Sequence, residues 1–260
     1  MNLVNPYRFA AAGGGIATPT HWWDLDNVTA TDGINDKGTG DWGDLTVSGP
    51  TQSAAAGPNG QNVLAFVNDG GGGDADYLSG GNQVWDGGSN TTISWQYWFT
   101  ADVIASTGNF LVSWRSSTTT RLLNGLLLND TPDYIFNRIF DDNDSGVTVG
   151  NTTDTTFTAD DSTWYHVVTT VNLAGDIKVY VNGTLKDTVD ASSLTTFDNV
   201  TAMPFAIGTA GWSLGASNSS HDGKIFSVGI WDVELTSADA SNLYAGGSSG
   251  DGFYGDYNFV

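Results

Sequence analysis

The chain has 260 residues, 39% of them hydrophobic and 12% aromatic, enough apolar mass for a core and too much for global disorder. A net charge of −21 with only eight Lys and Arg argues against nucleic acid and anionic membrane surfaces as partners, and favours cations and basic protein surfaces. No cysteine is present, and a chain of this length buries roughly three quarters of its unfolded surface without a disulfide or metal staple.

Glu234 is the single glutamate among the 29 acidic residues. Aspartate bonds nearby backbone N–H groups in turns, whereas glutamate prefers helices, so this bias and the 34 glycines predict many turns and little helix. Residues 1–19 read as a separate anchoring arm. Leu3, Val4, Pro6, Tyr7, Arg8 and Phe9 precede an Ala10-to-Gly15 hinge that neither packs as a helix nor forms a strand interior. The N-terminus lacks a basic start and a long apolar run, so no export leader is expected, and no apolar stretch is long enough to insert in a membrane. The N-x-S/T sequons, at Asn27, Asn90, Asn151, Asn182 and Asn199 for example, then read as products of an Asn/Thr-rich composition.

Residues 20–250 predict short strands separated by turns. From Thr91 to Thr100 the chain alternates, with Ile93, Trp95, Tyr97 and Phe99 on one face; Trp98 on the other marks a central strand buried on both sides. Strands follow at Phe110 to Trp114, Leu126 to Leu128, Tyr134 to Phe140, His166 to Val171, Ile177 to Val181, Thr184 to Val189, Pro204 to Ile207 and Lys224 to Asp232. Asn182-Gly183 tolerates positive φ and predicts a type I′ hairpin. One helix is expected, opened by Thr236 with Asp239 as a capping-box variant and ended by Gly246-Gly247, with Glu234 favouring its N-terminus. Residues 251–260 form an aromatic, glycine-rich tail suited to packing on the domain or on a neighbouring subunit. No repeat of 20–50 residues interrupts this order. The predicted class is all-β: a two-sheet antiparallel jelly-roll sandwich with one short C-terminal helix.

Trp164-Tyr165-His166-Val167-Val168, followed by Ile177-Lys178-Val179-Tyr180-Val181-Asn182-Gly183, resembles the laminin-G-like family of concanavalin A-like sandwiches, in which a W-x-H-V strand precedes one ending Y-V-N-G. Thr92 to Asp102, Leu64 to Asn68, Asp76 to Leu78 and Ile225 to Tyr244 are similar to further family segments in the same order, so the resemblance spans roughly residues 20–247. It implies lectins, adhesion modules, pentraxin-like proteins or, more distantly, glucanases. Trp98 and Trp164 are expected as anchors, each ring contributing roughly 1.5–3 kcal/mol on burial. His166 is expected as a packed strand residue and not as a ligand or base.

Catalysis is not expected. Related glucanases carry E-x-D-x-x-E on one strand, and a chain whose one glutamate is Glu234 has no such pair. No cofactor is required. Calcium is considered because Asp141, Asn143 and Ser145 resemble the first half of an oxygen-rich loop, although the simple alternative is a polar hairpin. The Asp69-to-Asp76 loop and Trp23-Asp24-Leu25-Asp26 are further candidates. For glycan binding, Tyr77, Trp85 and Trp212 are candidate platforms and Asp76, Asp86 and Asn218 candidate hydroxyl partners; the alternative is that the aromatics are lids on the core.

The arm segment Asn5-Pro6-Tyr7-Arg8-Phe9 resembles N-terminal arms of tailed-bacteriophage virion proteins that carry laminin-G-like domains. That implies a non-enzymatic capsid-decoration or tail-associated protein. It would be made in the host cytoplasm, held by virion proteins through the arm as a homo-oligomer, and turned toward surface polysaccharide. The alternative is a free extracellular carbohydrate-binding lectin.

Overall fold

The computed structural model describes residues 15–260 except 30–33, 41, 69–74, 86, 105–107, 117–120, 131, 151, 199–200, 217, 250–256 and 258. The arm residues Leu3, Val4, Pro6, Tyr7, Arg8 and Phe9, together with Asp86 and most of the Asp69-to-Asp76 loop, lie outside the described residues.

Among the described residues, fifteen strands, one 3-10 turn (Thr153–Thr155) and one α-helix follow in chain order. They are β1 (His21–Trp23), β2 (Thr46–Ser48), β3 (Thr51–Ser53), β4 (Val63–Phe66), β5 (Tyr77–Gln83), β6 (Thr92–Ala101), β7 (Asn109–Arg115) and β8 (Arg121–Leu128). Then come β9 (Tyr134–Phe140), β10 (Gly146–Gly150), β11 (Asp160–Asn172), β12 (Asp176–Val181), β13 (Thr184–Asp190), β14 (Met203–Ile207), β15 (Gly223–Trp231) and α1 (Ser237–Ser249). They form two antiparallel sheets: an eight-stranded one ordered β13-β12-β11-β6-β15-β4-β3 with β1 beside β15, and a seven-stranded one ordered β10-β9-β8-β7-β14-β5-β2. This is the predicted all-β jelly-roll sandwich with a short C-terminal helix.

The core lies between the sheets. Strand β6 is central in its sheet and buried from Ile93 to Ala101, with Ile93, Trp95, Tyr97 and Phe99 in the main apolar cluster. Tyr97 reaches across and donates to Asn137 Oδ1 at 2.9 Å. Gly125 makes room for it, since a Cβ there would sit 2.6 Å from the Tyr97 ring. The Asn182-Gly183 hairpin has φ of 51° and 73°, as a type I′ turn requires.

The outer face of the eight-stranded sheet is sealed by α1, by Ile16 and Ala17 and by Tyr257 and Phe259. Trp98 stacks on Tyr244 of α1 at 5.6 Å, on Phe226 at 5.4 Å and against His166 at 4.7 Å. Buried His166 bonds Gln96 Oε1 through Nε2 at 2.9 Å, the packed strand histidine expected. Trp22 meets Tyr257 and Phe259 edge-on, and Ile16 bridges Phe259. Ile16, Ala17, Tyr257 and Phe259 complete a second buried cluster on the body, and Thr18 N and Val260 N donate to Val260 O and Ile16 O beside it.

Two local expectations are corrected. The Thr236–Asp239 capping box is present, with Thr236 N donating to Asp239 Oδ2 at 2.8 Å and Asp239 N to Thr236 Oγ1 at 3.2 Å. The helix nevertheless runs through Gly246 and Gly247 to Ser249. Those glycines serve close approach: a Cβ on Gly247 would sit 2.4 Å from Trp98 Cζ2, and one on Gly246 would sit 2.3 Å from the Tyr257 ring. Glu234 does not serve the helix terminus; it accepts from Lys178 Nζ at 2.8 Å and Asn172 Nδ2 at 3.0 Å.

Candidate functional site

The outer face of the seven-stranded sheet is built differently. On β9 the alternation turns Ile135, Asn137 and Ile139 inward and Phe136, Arg138 and Phe140 outward. The register sets Phe110, Leu126 and Phe136 in one cross-strand row, and Ser113, Asn124, Arg138 and Thr148 in another. Arg115 stands opposite Arg121, and Phe140 opposite Gly146.

Three of the chain's four arginines converge on one ring. The guanidinium carbons of Arg138, Arg121 and Arg115 stand 4.6, 4.9 and 5.7 Å from the Phe140 centroid. Arg115 also lies 3.9 Å from the centroid of Trp212, whose ring meets Phe110 edge-on at 5.1 Å. Phe140 is fully buried beneath them, and each cation–π contact contributes about 0.5–1 kcal/mol at a partly wet site. Gly146 leaves the space for this stack, since a Cβ there would sit 2.8 Å from both Arg138 Nε and Phe140 Cδ1. Leu126, Ala210, Leu128 and Phe136 continue the patch as an apolar shelf with Phe110 and Trp212. With its amide oxygen turned toward Arg115, Asn124 accepts from Arg115 Nη1 at 3.2 Å while its Nδ2 donates to Leu123 O at 2.9 Å.

Asp144 answers part of this charge: its Oδ1 lies 3.0 Å from Arg121 Nε. The crowding has a cost. Burial pushes the Arg115 guanidinium down to about 10; Arg121 and Arg138 push the same way, and Asp144 opposes them. Arg138 is lowered by burial first and then by Arg121.

The β9–β10 turn aims Asp144. That residue takes φ 61° and donates its N–H to Asp141 O at 3.0 Å. Asp141 is 2% exposed; its Oδ1 accepts from the N–H groups of Asn143 (3.0 Å) and Ser145 (2.8 Å), and its Oδ2 accepts from Thr195 Oγ1 (3.1 Å). Asp141, Asn143 and Ser145, the expected calcium half-loop, thus form a hydrogen-bonded turn in which Asp141 is engaged by the turn's own N–H groups and by Thr195. Asp24 is likewise engaged, by Trp22 Nε1 at 2.7 Å and by Lys37. No group of three or more His, Asp or Glu suited to a metal occurs among the described residues.

The model of the concanavalin A-like lectin/glucanases superfamily matches residues 69–241. The chain belongs to this superfamily. No curated relative matches its sequence. Among solved structures, the fold is shared with domain 4 of a GH43 extracellular arabinanase from Geobacillus stearothermophilus, solved with arabinotriose. The TM-score is 0.61 at 15% identity, over 89% of this chain and 100% of that one. It is shared also with the botulinum neurotoxin serotype D ligand binding domain solved with N-acetylneuraminic acid (0.59, 14%, 88% and 51%). The binding domain of Paraclostridial Mosquitocidal Protein 1 is a further match (0.58, 14%, 88% and 52%). The chain spans about half the length of these two toxin domains.

Within this lectin-like sandwich the expected glycan residues fall into separate places. Trp212 joins the arginine patch. Trp85 is 1% exposed and packs edge-on against Trp114 and Phe197, so its place as a platform is corrected to that of a core lid. Tyr77 is half-buried at the start of β5. Asp76 Oδ2 accepts from Val67 N at 2.8 Å, a turn-closing role. Asn218 is exposed on the Trp212 loop. Arg115, Arg121, Arg138 and Phe140 were not singled out by the sequence reading, although the Phe136-Arg138-Phe140 alternation and the scarcity of arginine carry the signal.

Two depressions lie elsewhere. One of about 370 Å³ is lined by Thr153, Asp154, Tyr165, Asn182 and Lys186 among others. The other, about 180 Å³, includes Asp142 and Asp198. There Asp142 accepts from Thr195 Oγ1 at 3.0 Å, joining the β9–β10 turn to the β13–β14 loop, and Asp198 accepts from Thr201 N at 2.8 Å within its own loop.

Proposed function

We propose that the chain is a non-enzymatic, lectin-like module whose saccharide site is the outer face of the seven-stranded sheet. The observation that carries this reading is the half-buried pair of Trp212 and Arg115 lying beside buried Phe140 on the outer face of this sheet. A planar ring accepts the C–H face of a sugar, and amide and guanidinium edges beside it serve hydroxyl oxygens. Structures of the same fold were solved with arabinotriose and with N-acetylneuraminic acid. Glu234, the one glutamate of the sequence, is held by Lys178 and Asn172, so an E-x-D-x-x-E pair has no second glutamate. The test is a glycan array followed by titration calorimetry. Trp212→Ala should weaken binding about tenfold with an unchanged melting temperature, and reducing-sugar release should stay at background. A blank array, or turnover abolished by one Asp→Asn change, overturns the reading.

We place this module on a virion surface, as capsid decoration or in the tail, anchored by its N-terminal arm as a homo-oligomer. The support is the resemblance of residues 5–9 to such arms. Deleting residues 2–14 should abolish incorporation into particles while glycan binding persists; incorporation that survives the deletion overturns the arm as the anchor, and absence of the full-length chain from particles favours the free extracellular lectin.

A further inference from the structure

We infer that the depression between the 3-10 turn Thr153–Thr155 and the β12–β13 hairpin is a second ligand site, which takes one neutral sugar residue through adjacent hydroxyls. It lies at the edge of the eight-stranded sheet and stands independently of the outer-face reading above.

Three observations carry it. The first is an unanswered cation. In a chain of net charge −21, Lys37, Lys178 and Lys224 each pair with a carboxylate, Asp24, Glu234 and Asp161. Lys186, the fourth lysine, is half-buried and pairs with no carboxylate among the described residues. Its neighbour Asp187 is engaged across the sandwich, where its Oδ2 accepts from Gly150 N at 2.9 Å. Lys186 instead lines a depression of about 370 Å³ together with Asp154, Tyr165, Asn182 and Thr184. That volume falls at the small end of the roughly 300–1,000 Å³ of ligand pockets.

The second is how the fold builds the walls. Val179 stands opposite Asp187 and Tyr180 opposite Leu185, so Lys186 is the extra, unpaired residue of a bulge on the edge strand β13. A bulge gives up ladder pairing and re-aims a side chain. The hairpin tip is clamped to β11: His166 N donates to Asn182 Oδ1 at 2.9 Å, and Asn182 N donates to His166 O at 2.8 Å. Thr158 N donates to the Tyr165 hydroxyl at 3.0 Å, which pins the segment after the 3-10 turn to the same strand. Tyr165 is braced by Phe99 at 5.5 Å and Phe157 at 5.8 Å. The walls are therefore set before any ligand arrives.

The third is chemistry. Asp154 and Lys186 line one depression without forming an ion pair. An anion there meets Asp154 and a cation meets Lys186, so the two together select against net charge. A carboxylate accepts two O–H groups at once, and an ammonium carries three donors. Asn182 Nδ2 and the hydroxyl hydrogens of Tyr165 and Thr184 are further donors that no bond among the described residues uses. A bidentate acceptor facing several donors matches adjacent sugar hydroxyls, each of which donates and accepts.

The test is proton–nitrogen NMR of the full chain, titrated with the methyl glycosides of glucose, galactose, mannose and fucose, and with acetate, ethylammonium and glycine as charged controls. At least one glycoside should shift the amides of Asn182, Thr184 and Lys186 at millimolar concentration or below. Asp154→Ala and Lys186→Met should each weaken that response about tenfold, at an unchanged melting temperature. Silence of these amides toward every glycoside overturns the inference, as does a response that both variants retain in full. A charged control that moves the same amides as strongly marks a site for ions and also overturns it. The Trp212 indole resonance reports the outer face separately. A glycoside that moves Trp212 alone upholds that face and overturns the second site; one that moves the hairpin amides alone upholds the second site.

Discussion

Replacing Gly247 by alanine separates helix propensity from packing, because the two predict opposite signs. In a helix interior Gly→Ala normally stabilises by about 0.5–1 kcal/mol. Here the new Cβ would sit 2.4 Å from Trp98 Cζ2 and 2.6 Å from Cε2, well inside contact distance. The indole has no room to yield: Trp98 is 1% exposed and lies against Phe226, His166 and Tyr244. Overpacking of this kind costs about 1–3 kcal/mol, and lifting α1 also weakens the Trp98–Tyr244 stack, a further ~0.5–1.5 kcal/mol. Subtracting the propensity gain leaves a net loss of about 0.5–4 kcal/mol, centred near ~2 kcal/mol. For a chain of this size that central value lowers the melting temperature by roughly 4–8 °C. Urea unfolding and calorimetry read the change. Ala245→Gly, at an exposed helix position, is the control and should lose about 1 kcal/mol by propensity alone. A Gly247→Ala protein that melts at or above the parent refutes the close-packing account of α1.

His166 and His221 are buried, and burial holds their imidazoles down to about 3 and about 4, below the 6.5 of the unfolded chain. The unfolded chain therefore takes up protons first: stability is full above pH 6.5 and drains as pH falls toward 4, by about 2 kcal/mol per histidine at pH 5. Urea midpoints that are flat between pH 7 and pH 5 would contradict this. Trp85→Ala should cost about 3–5 kcal/mol and leave glycan affinity intact in the folded fraction; lost affinity at unchanged stability would return Trp85 to the binding surface. Stripping with chelator and then saturating with calcium should leave the melting temperature unchanged, since Asp141 is engaged by N–H and O–H donors. A rise of several degrees that Asp141→Asn abolishes would restore the calcium turn.

The sandwich was legible because its signals are local and redundant. The Ile93-to-Phe99 alternation, the Asn182-Gly183 turn and the Thr236–Asp239 cap each follow from backbone chemistry within a few residues. The glycines of α1 misled for a physical reason: a glycine pair near a helix end reads as a stop, and only the position of Trp98, about 150 residues earlier in the chain, reveals that it is a packing notch. Glu234 misled in the same way, since Lys178 and Asn172 come from other strands. The arginine patch depends on strand register. Arg115 and Arg121 fall on one face only because β7 and β8 shift register beside them, and no local pattern announces a bulge. Trp85 and Trp212 sit in loops of the same composition, and burial alone separates the lid from the platform.

A two-layer sandwich has two outer faces, and this chain treats them oppositely. The eight-stranded sheet spends α1, Ile16 to Thr18 and Phe259 to Val260 on covering Trp98, Trp22 and Trp231. On the seven-stranded sheet the same kind of ring, Phe140, is covered by guanidinium groups. A helix shields a ring and closes the surface. An arginine shields it and keeps the surface polar, charged and open. In the proposed site, shielding and recognition are functions of the same side chains, so truncating one arginine exposes Phe140 as well as removing a charge. Affinity and melting temperature must be read together for every variant of this face, and a loss of affinity at constant melting temperature is the signature that belongs to recognition alone.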